Sequence, residues 1–276
     1  MHRVADQIVE ILEKAGVKRI YGIVGDSLNP VTDALRRRKT IEWIHVRHEE
    51  VAAFAASAEA QLSGNLAVCC GSSGPGNLHL INGLFDAHRN HAPVLAIASH
   101  IPQSQVGMEY FQATHPEQLF KECSAYAELV SEASQAPSIL MSAIQHAWAR
   151  RDVGVVVLPG DIADAPAEMK NLVHPPAYTR ENVVPEHESV SLLARMLDDH
   201  RRITFFCGAG CAGAEDRVVR LAHRLKAPIA YTWRGKDYFE HDNPLGIGMT
   251  GLLGWGDAYK ACLLYTSDAA DDRISV

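Results

Sequence analysis

The sequence predicts an α/β protein, a doubly wound parallel sheet followed by a second, incomplete α/β unit. Three observations predict it. Short apolar runs such as KRIYGIV, LAVCC and PVLAIAS alternate with segments of helical periodicity. Apart from Lys18, Arg19 and Ser99 at their ends, those runs carry no charged or strongly polar residue, as suits strands covered on both faces. Glycine-containing turns close several of them, at Gly25, Gly71–Gly76 and Gly208–Gly210.

The elements follow in order. Val4, Ile8, Ile11 and Leu12 recur at helical spacing, and that helix stops near Gly16. KRIYGIV is a buried strand ending at Gly25-Asp26, and residues 29–38 form a short helix. IEWIHV is the second strand, and the Ala-rich residues 49–62 are good helix formers. LAVCC runs into GSSGPGN, which feeds the helix NLHLINGLFDAH, and PVLAIAS is the fourth strand. After an irregular stretch near 100–115, a further helix, strand and helix lead to a strand over residues 154–159.

Residues 164–185 carry Pro166, Pro175, Pro176 and Pro185 with little periodicity and read as a linker. A first domain over 1–170, a linker over 171–186 and a partial second domain over 187–261 are therefore expected. The second unit opens with the helix SVSLLARMLDDH, the strand RITFFC and the turn Gly208-Ala209-Gly210. A helix ending near Lys226 and the strand PIAYTW follow. The stretch from Cys262 to Asp272 breaks the pattern. It resembles a translated library-preparation adapter, so residues 262–276 are set aside as read-through.

Composition narrows the function classes. The chain has 276 residues, 33 acidic against 26 basic, and a formal charge of −7, which offers no electrostatic footprint for nucleic acid. The one basic cluster, Arg36-Arg37-Arg38-Lys39, reads as a solvated helix end that favours the dipole. No apolar run reaches the roughly 18 residues of a transmembrane helix. The first residues are charged throughout, unlike a signal peptide. Six cysteines fit neither a zinc spacing nor a disulfide framework, so a reducing cytoplasm is expected.

Two segments could carry chemistry. In Arg47-His48-Glu49-Glu50-Val51, carboxylates sit where a strand gives way to a helix, the place where open α/β sheets bind ligands. By themselves they read equally as first-turn acids complementing the dipole. In Gly71-Ser72-Ser73-Gly74-Pro75-Gly76-Asn77, glycines between strand and helix let backbone N–H groups approach a ligand. Its spacing is neither a dinucleotide fingerprint nor a P-loop, and a purely structural turn is the alternative.

Together, RHEEVAAFAA and GSSGPGNLHLINGLFDAHRNHAPVLAI resemble the pyrimidine-binding domain of thiamine-diphosphate-dependent enzymes. YGIVGDSLNPVTDAL before them and YFQATHPEQLFKECSAYAELV after them fit the same pattern. The resemblance covers essentially residues 2–261 and is strongest to the pyruvate oxidase, or pyruvate dehydrogenase (quinone), family. It implies that Glu49 hydrogen-bonds N1′ of the cofactor's aminopyrimidine, with Glu50 the adjacent alternative. It implies that Val24, Gly25, Asp26, Gly74, Pro75, Gly76 and Asn77 line the pyrimidine. It places Phe111 and Gln112 near the reacting carbons and matches His88 to an active-site histidine of the oxidase-like members.

In the second unit the resemblance implies an FAD site. Gly208, Gly210 and Cys211 would form one loop, Arg234 would neutralise phosphate charge, and Thr250, Gly251 and Leu252 would offer backbone donors. The implied reaction takes pyruvate to acetate and CO2 and passes electrons through FAD to a quinone, within a homotetramer. Peripheral association of the complete enzyme with the inner membrane is also implied. Acetolactate synthase is the close rival, and a non-catalytic nucleotide-binding module is a reading of another class. The family binds the diphosphate and Mg2+ in a third domain through a GDG…N motif, which this sequence lacks, so the chain alone is expected not to turn over pyruvate.

Overall fold

The computed structural model describes residues 2–167, 183–254 and 256–265. The chain divides into two compact units, Met1–Glu181 and Asn182–Val276. Of the expected linker, residues 171–182 lie outside the described part, as do residues 266–276 of the terminal stretch.

The first unit runs α1 (Val4–Lys14), β1 (Arg19–Gly22), α2 (Asn29–Arg38), β2 (Glu42–His45), α3 (Glu49–Ser63), β3 (Ala67–Gly71) and α4 (Pro75–Arg89). It continues through β4 (Val94–His100), α5 (Pro116–Leu119), β5 (Tyr126–Leu129), α6 (Ala136–Arg150), β6 (Val153–Pro159) and α7 (Gly160–Asp164). Its six strands form one sheet in the order β2-β1-β3-β4-β6-β5, and every pair is parallel.

The sheet is covered on both faces. Along β4, Leu95 and Ile97 enter one core with Ile8, Leu12, Leu35 and Leu140 from α1, α2 and α6. Val94, Ala96 and Ala98 face the other way, into a second core with Ala53, Ala56, Leu80 and Leu84 from α3 and α4. That alternation on a wholly buried strand is why Val94 to Ala98 are apolar without a break. The elements expected from the sequence are all present, with ends shifted by up to three residues.

α3 and α4 approach closely because Gly83 lies against α3. A Cβ there would stand 2.5 Å from the Ala53 Cβ and 2.6 Å from the Phe54 backbone nitrogen. At this point of the interface there is no room for a side chain on α4, and the small alanines of the VAAFAASAEA run let the two helices come that near.

The basic cluster is the exposed, dipole-complementing end of α2 that was expected, and its arginines also make ion pairs that the sequence did not show. Arg36 and Arg37 bond Asp33 of their own helix, and Arg37 also bonds the buried Asp6 of α1. Arg38 reaches Glu10 (2.8 Å) and Glu13 (2.9 Å) of α1. Arg3 bonds Asp33 and, at 2.9 Å, Asp164 of α7. The cluster is an ion-pair lattice that ties α1, α2 and α7 together. Arg36 and Arg37 both donate to Asp33, and together with Arg3 they hold its carboxyl far below the usual carboxylate range.

The second unit contains α8 (His187–Asp199), β7 (Phe205–Cys207), α9 (Glu215–Leu225), β8 (Ile229–Tyr231), α10 (Lys236–Phe239), β9 (Gly246–Met249) and α11 (Asp257–Tyr265). Its sheet, β7-β8-β9, is parallel with a register shift between Ile229 and Ala230. Cys207, Ile229, Tyr231, Ala222 and Phe239 form its small core. α8 buries no residue, and Val190, Leu192, Leu193 and Met196 are exposed along it.

Candidate active site

The strand order reverses between β1 and β3. From β1 the chain goes to β2 on one side, and β3 then pairs on the other. In open α/β sheets a crevice opens at the carboxyl ends of two such strands, because their following loops leave toward opposite faces. Loop 23–28 follows β1 and loop 72–74 follows β3, so these two glycine-containing segments flank the crevice. They are joined. The Ser27 and Ser72 hydroxyls are 3.0 Å apart, and the Ser73 backbone N–H donates to Ser27 Oγ at 3.0 Å. Gly25 abuts Ser72 so tightly that a Cβ would lie 2.3 Å from its Oγ. Val24 and Asp26 are exposed beside it, and Asp26 accepts from the Ser27 N–H.

Glu49 enters from the third side as the first residue of α3. His48 is the N-cap, and its Nδ1 accepts from the Glu50 N–H at 3.3 Å. The Glu49 carboxyl points inward, its residue only 8% exposed, toward the first turn of α4. His79 Nδ1 donates to Glu49 Oε2 at 3.0 Å. Gly76 faces the other oxygen, and a Cβ there would come within 3.2 Å of Glu49 Oε1. Glu50 turns outward and accepts from Asn82 at 2.7 Å. Of the two adjacent carboxylates, Glu49 is buried and Glu50 is half-exposed.

The turn feeding α4 is built around Gly74, at φ +68, with Pro75 as the first helical residue. Asn77 is fully buried, and its amide donates to the Ser99 carbonyl at the end of β4 (2.7 Å), while its Oδ1 has no protein partner. Gln112 packs directly on Gly74, where a Cβ would sit 2.8 Å from the Gln112 Cβ. Gln112 has φ +64, and its Oε1 accepts from Ser73 Oγ at 3.1 Å. Phe111 beside it is 77% exposed. Glu49, Gly25, Gly74, Pro75, Gly76, Asn77 and Gln112 are therefore brought to one end of the sheet.

His88 is the exception and a correction. It lies in the last turn of α4, nine residues and about 13 Å of helix rise from His79. Its Nδ1 donates to Asp152 at 2.7 Å, at the amino end of β6. The histidine at Glu49 is His79, stacked on His48 with ring centroids 4.2 Å apart. The signal for it was the position directly after the Gly-Pro-Gly turn, since the first turn of α4 must face whatever that turn holds.

In the second unit, three loops leave the carboxyl edge of the small sheet. Gly208, Gly210 and Cys211 follow β7, and the Cys211 N–H donates to the Gly208 carbonyl at 3.1 Å. Arg234, exposed, lies in the turn after β8, whose Gly235 packs against the Cys207 carbonyl. Thr250 follows β9 and donates its N–H to the Tyr231 carbonyl at 3.0 Å, with Gly251 at φ +114 and Leu252 fully exposed.

Residues 2–120 match the family model for the thiamine pyrophosphate enzyme N-terminal TPP binding domain. Residues 190–269 match the model for the thiamine pyrophosphate enzyme central domain. The chain carries two domains of the thiamine pyrophosphate enzymes. Among its relatives, an uncharacterized 42.6 kDa protein in the isoamylase 3′ region of Pseudomonas amyloderamosa is 57% identical, over 95% of this chain and 66% of that protein. Pyruvate oxidase of Lactiplantibacillus plantarum is 34% identical over 92% of this chain and 43% of its own length. Chloroplastic acetolactate synthase 2 of Zea mays is 30% identical over 98% and 44%. The chain spans between about two-fifths and two-thirds of these relatives. Among the described residues no helix is long and apolar enough to cross a membrane.

Proposed function

We propose that this chain is the pyrimidine-binding and flavin-binding part of an enzyme that decarboxylates pyruvate oxidatively to acetate and CO2. Electrons would pass from thiamine diphosphate through FAD to a quinone. The observation that carries the reading is the buried Glu49 carboxyl, held at the strand-order reversal between the His79 imidazole and the backbone of Gly76.

The residues fit the aminopyrimidine. Glu49 offers a carboxyl oxygen beside a residue with no side chain, so a flat ring can approach. Asn77 Oδ1 is a buried acceptor with no protein partner, next to that turn. When bound, thiamine diphosphate supplies the electron sink for decarboxylation. Glu49 holds and exchanges the proton at the pyrimidine N1′, and His79 fixes the direction of the Glu49 carboxyl. Val24, Gly25, Asp26, Gly74, Pro75 and Gly76 form the walls. Gln112, whose Oε1 accepts from Ser73, and its neighbour Phe111 are assigned to the keto-acid end of the site. Mg2+ and the diphosphate are assigned to a domain beyond these two.

In the second unit, the converging loops of Gly208, Gly210 and Cys211, of Arg234, and of Thr250, Gly251 and Leu252 are proposed to hold FAD. Arg234 is free to meet a phosphate because its side chain is exposed. Val51 and Phe54 on α3 and Leu78 on α4 are exposed apolar residues near Glu49, and they suit burial against a second copy in an oligomer, with a tetramer expected.

The competing reading is condensation of two pyruvates to acetolactate, favoured by the match to acetolactate synthase over 98% of this chain. The test is to read the source locus beyond Ala261, express the complete reading frame, and assay pyruvate with a quinone-like dye. Acetate with stoichiometric dye reduction supports the proposal, and acetolactate without dye reduction selects the rival. Failure of the complete protein to bind thiamine diphosphate would leave a non-catalytic module.

A further inference from the structure

The same corner holds a second donor set. His48, Glu49 and His79 each offer one ligand atom, and these atoms lie within 4.8 Å of one another. Among the described residues this is the one such group of three or more histidine, cysteine or acidic side chains. Two imidazoles and one carboxylate are the donors that Zn2+ and its neighbours prefer, whereas Mg2+ selects oxygen ligands and water.

The geometry is close to what a metal needs. Tetrahedral Zn2+ with bonds of about 2.0–2.1 Å places its ligand atoms roughly 3.4 Å apart. His79 Nδ1 and Glu49 Oε2 are already 3.0 Å apart, and the His48 ring is stacked on His79 at 4.2 Å. Only His48 has to turn, and it is exposed, with the long 3.3 Å contact from the Glu50 N–H as its one cap bond. A supporting carboxylate is also present. Glu50 Oε2 lies 3.8 Å from His48 Nδ1, so once His48 turns and gives up the cap bond, Glu50 could close in and take an Nδ1–H while Nε2 binds the ion, the usual arrangement around metal-bound histidine. The backbones need not move, because Gly83 clamps α4 onto α3.

We propose that His48, Glu49 and His79 bind a zinc-type dication, and that this ion competes with the cofactor's aminopyrimidine for the Glu49 carboxyl. Metal binding itself stands apart from the proposed function; only the competition rests on it. The ion would occupy the carboxyl oxygens that the pyrimidine requires, so metal-loaded and cofactor-loaded forms exclude each other.

The test titrates Zn2+ into the tag-free chain by calorimetry, with Co2+ as a spectroscopic probe. One ion per chain is expected, with visible Co2+ bands of low-coordinate type and no displacement by millimolar Mg2+. His48→Gln and His79→Gln should each weaken binding at least about tenfold, and the double variant should lose it while keeping its metal-free circular dichroism. Absence of 1:1 binding, or binding unchanged in the double variant, overturns the site. In the complete enzyme, Zn2+ should raise the apparent Kd for thiamine diphosphate in proportion to its concentration. Simultaneous binding with unchanged affinities would overturn the competition. Zinc binding without any cofactor binding would sink the proposed function alone, and the reverse result would sink this inference alone.

Discussion

Glu49 and His79 meet across the α3–α4 interface, Oε2 to Nδ1 at 3.0 Å. The two residues are 30 positions apart in the chain, and each is in the first turns of its helix. The carboxyl is buried and the imidazole half-exposed, so the pair presents one fixed acceptor backed by one donor that can follow a ligand.

Glu49→Gln keeps the volume and removes the proton-exchanging group. In the complete enzyme, turnover of pyruvate should fall by about 10²–10⁴-fold, the range of a lost general acid–base step. The urea midpoint should change little. A loss of less than tenfold would remove Glu49 from proton transfer.

Gly83→Ala should be among the most damaging small substitutions. Its methyl would meet Ala53 Cβ at 2.5 Å and backbone at 2.6 Å, and neither can give way without separating α3 from α4. A destabilisation of about 1–3 kcal/mol is expected from overpacking, read by urea unfolding. Unchanged stability would mean that the two helices are not held in this contact.

Gly74→Ala tests the coupling of the two site loops. The residue has φ +68, and a Cβ would press on Gln112 at 2.8 Å. About 1–3 kcal/mol of strain is expected. Susceptibility to limited proteolysis near Phe111 should also rise, because the Ser73–Gln112 hydrogen bond would be lost. An unaltered cleavage pattern would argue that loop 101–115 is anchored independently.

His100 predicts a pH dependence. Burial lowers its pKa below the ordinary histidine value, Glu117 opposes that shift and His115 adds to it. The unfolded chain therefore takes up the proton first as pH falls below about 6.5. The contribution of neutral His100 is complete above that pH and is lost as pH falls through the folded value. Melting temperature should drop on acidification, and His100→Gln should flatten that slope. An equal slope in the variant would assign the effect elsewhere.

Asp6 predicts a second, more acidic transition. Burial would raise its pKa, but the Arg3 backbone N–H and the Arg37 guanidinium outweigh it and leave the carboxyl below its usual range. A depressed carboxyl stabilises at pH above its unfolded value and loses that contribution as pH falls through the folded one. Arg37→Ala should lower the melting temperature at neutral pH, and the difference from wild type should shrink below about pH 4. A constant difference would show that Arg37 acts through packing rather than charge.

Much of the fold was legible because its determinants are local. Strands covered on both faces need unbroken apolar runs, so β3, β4 and β6 were visible without their neighbours. The Gly74-Pro75-Gly76 turn marked the entry to α4, although the helix begins at Pro75, two residues before the expected Asn77. Glu49 was legible only through the resemblance of the combined segments, since as an opening residue of α3 it reads alone as a first-turn acid. The ion-pair lattice was not, since Asp6, Asp33 and Asp164 are far apart in sequence, and Arg36–Arg38 alone look like an exposed basic end.

The sequence by itself determined the α/β alternation, the two units, the family of the two domains and the candidate carboxylate at Glu49. Tertiary structure alone decided which histidine attends it. His79 and His88 lie on one helix in similar surroundings of sequence, but a 15-residue helix has two ends, about 20 Å apart. Only the parallel sheet, with its order reversing between β1 and β3, says that the end carrying His79 faces the crevice and the end carrying His88 faces Asp152. Periodicity reports which residues share a helix face, and it carries no information on which end of the helix the strands point toward.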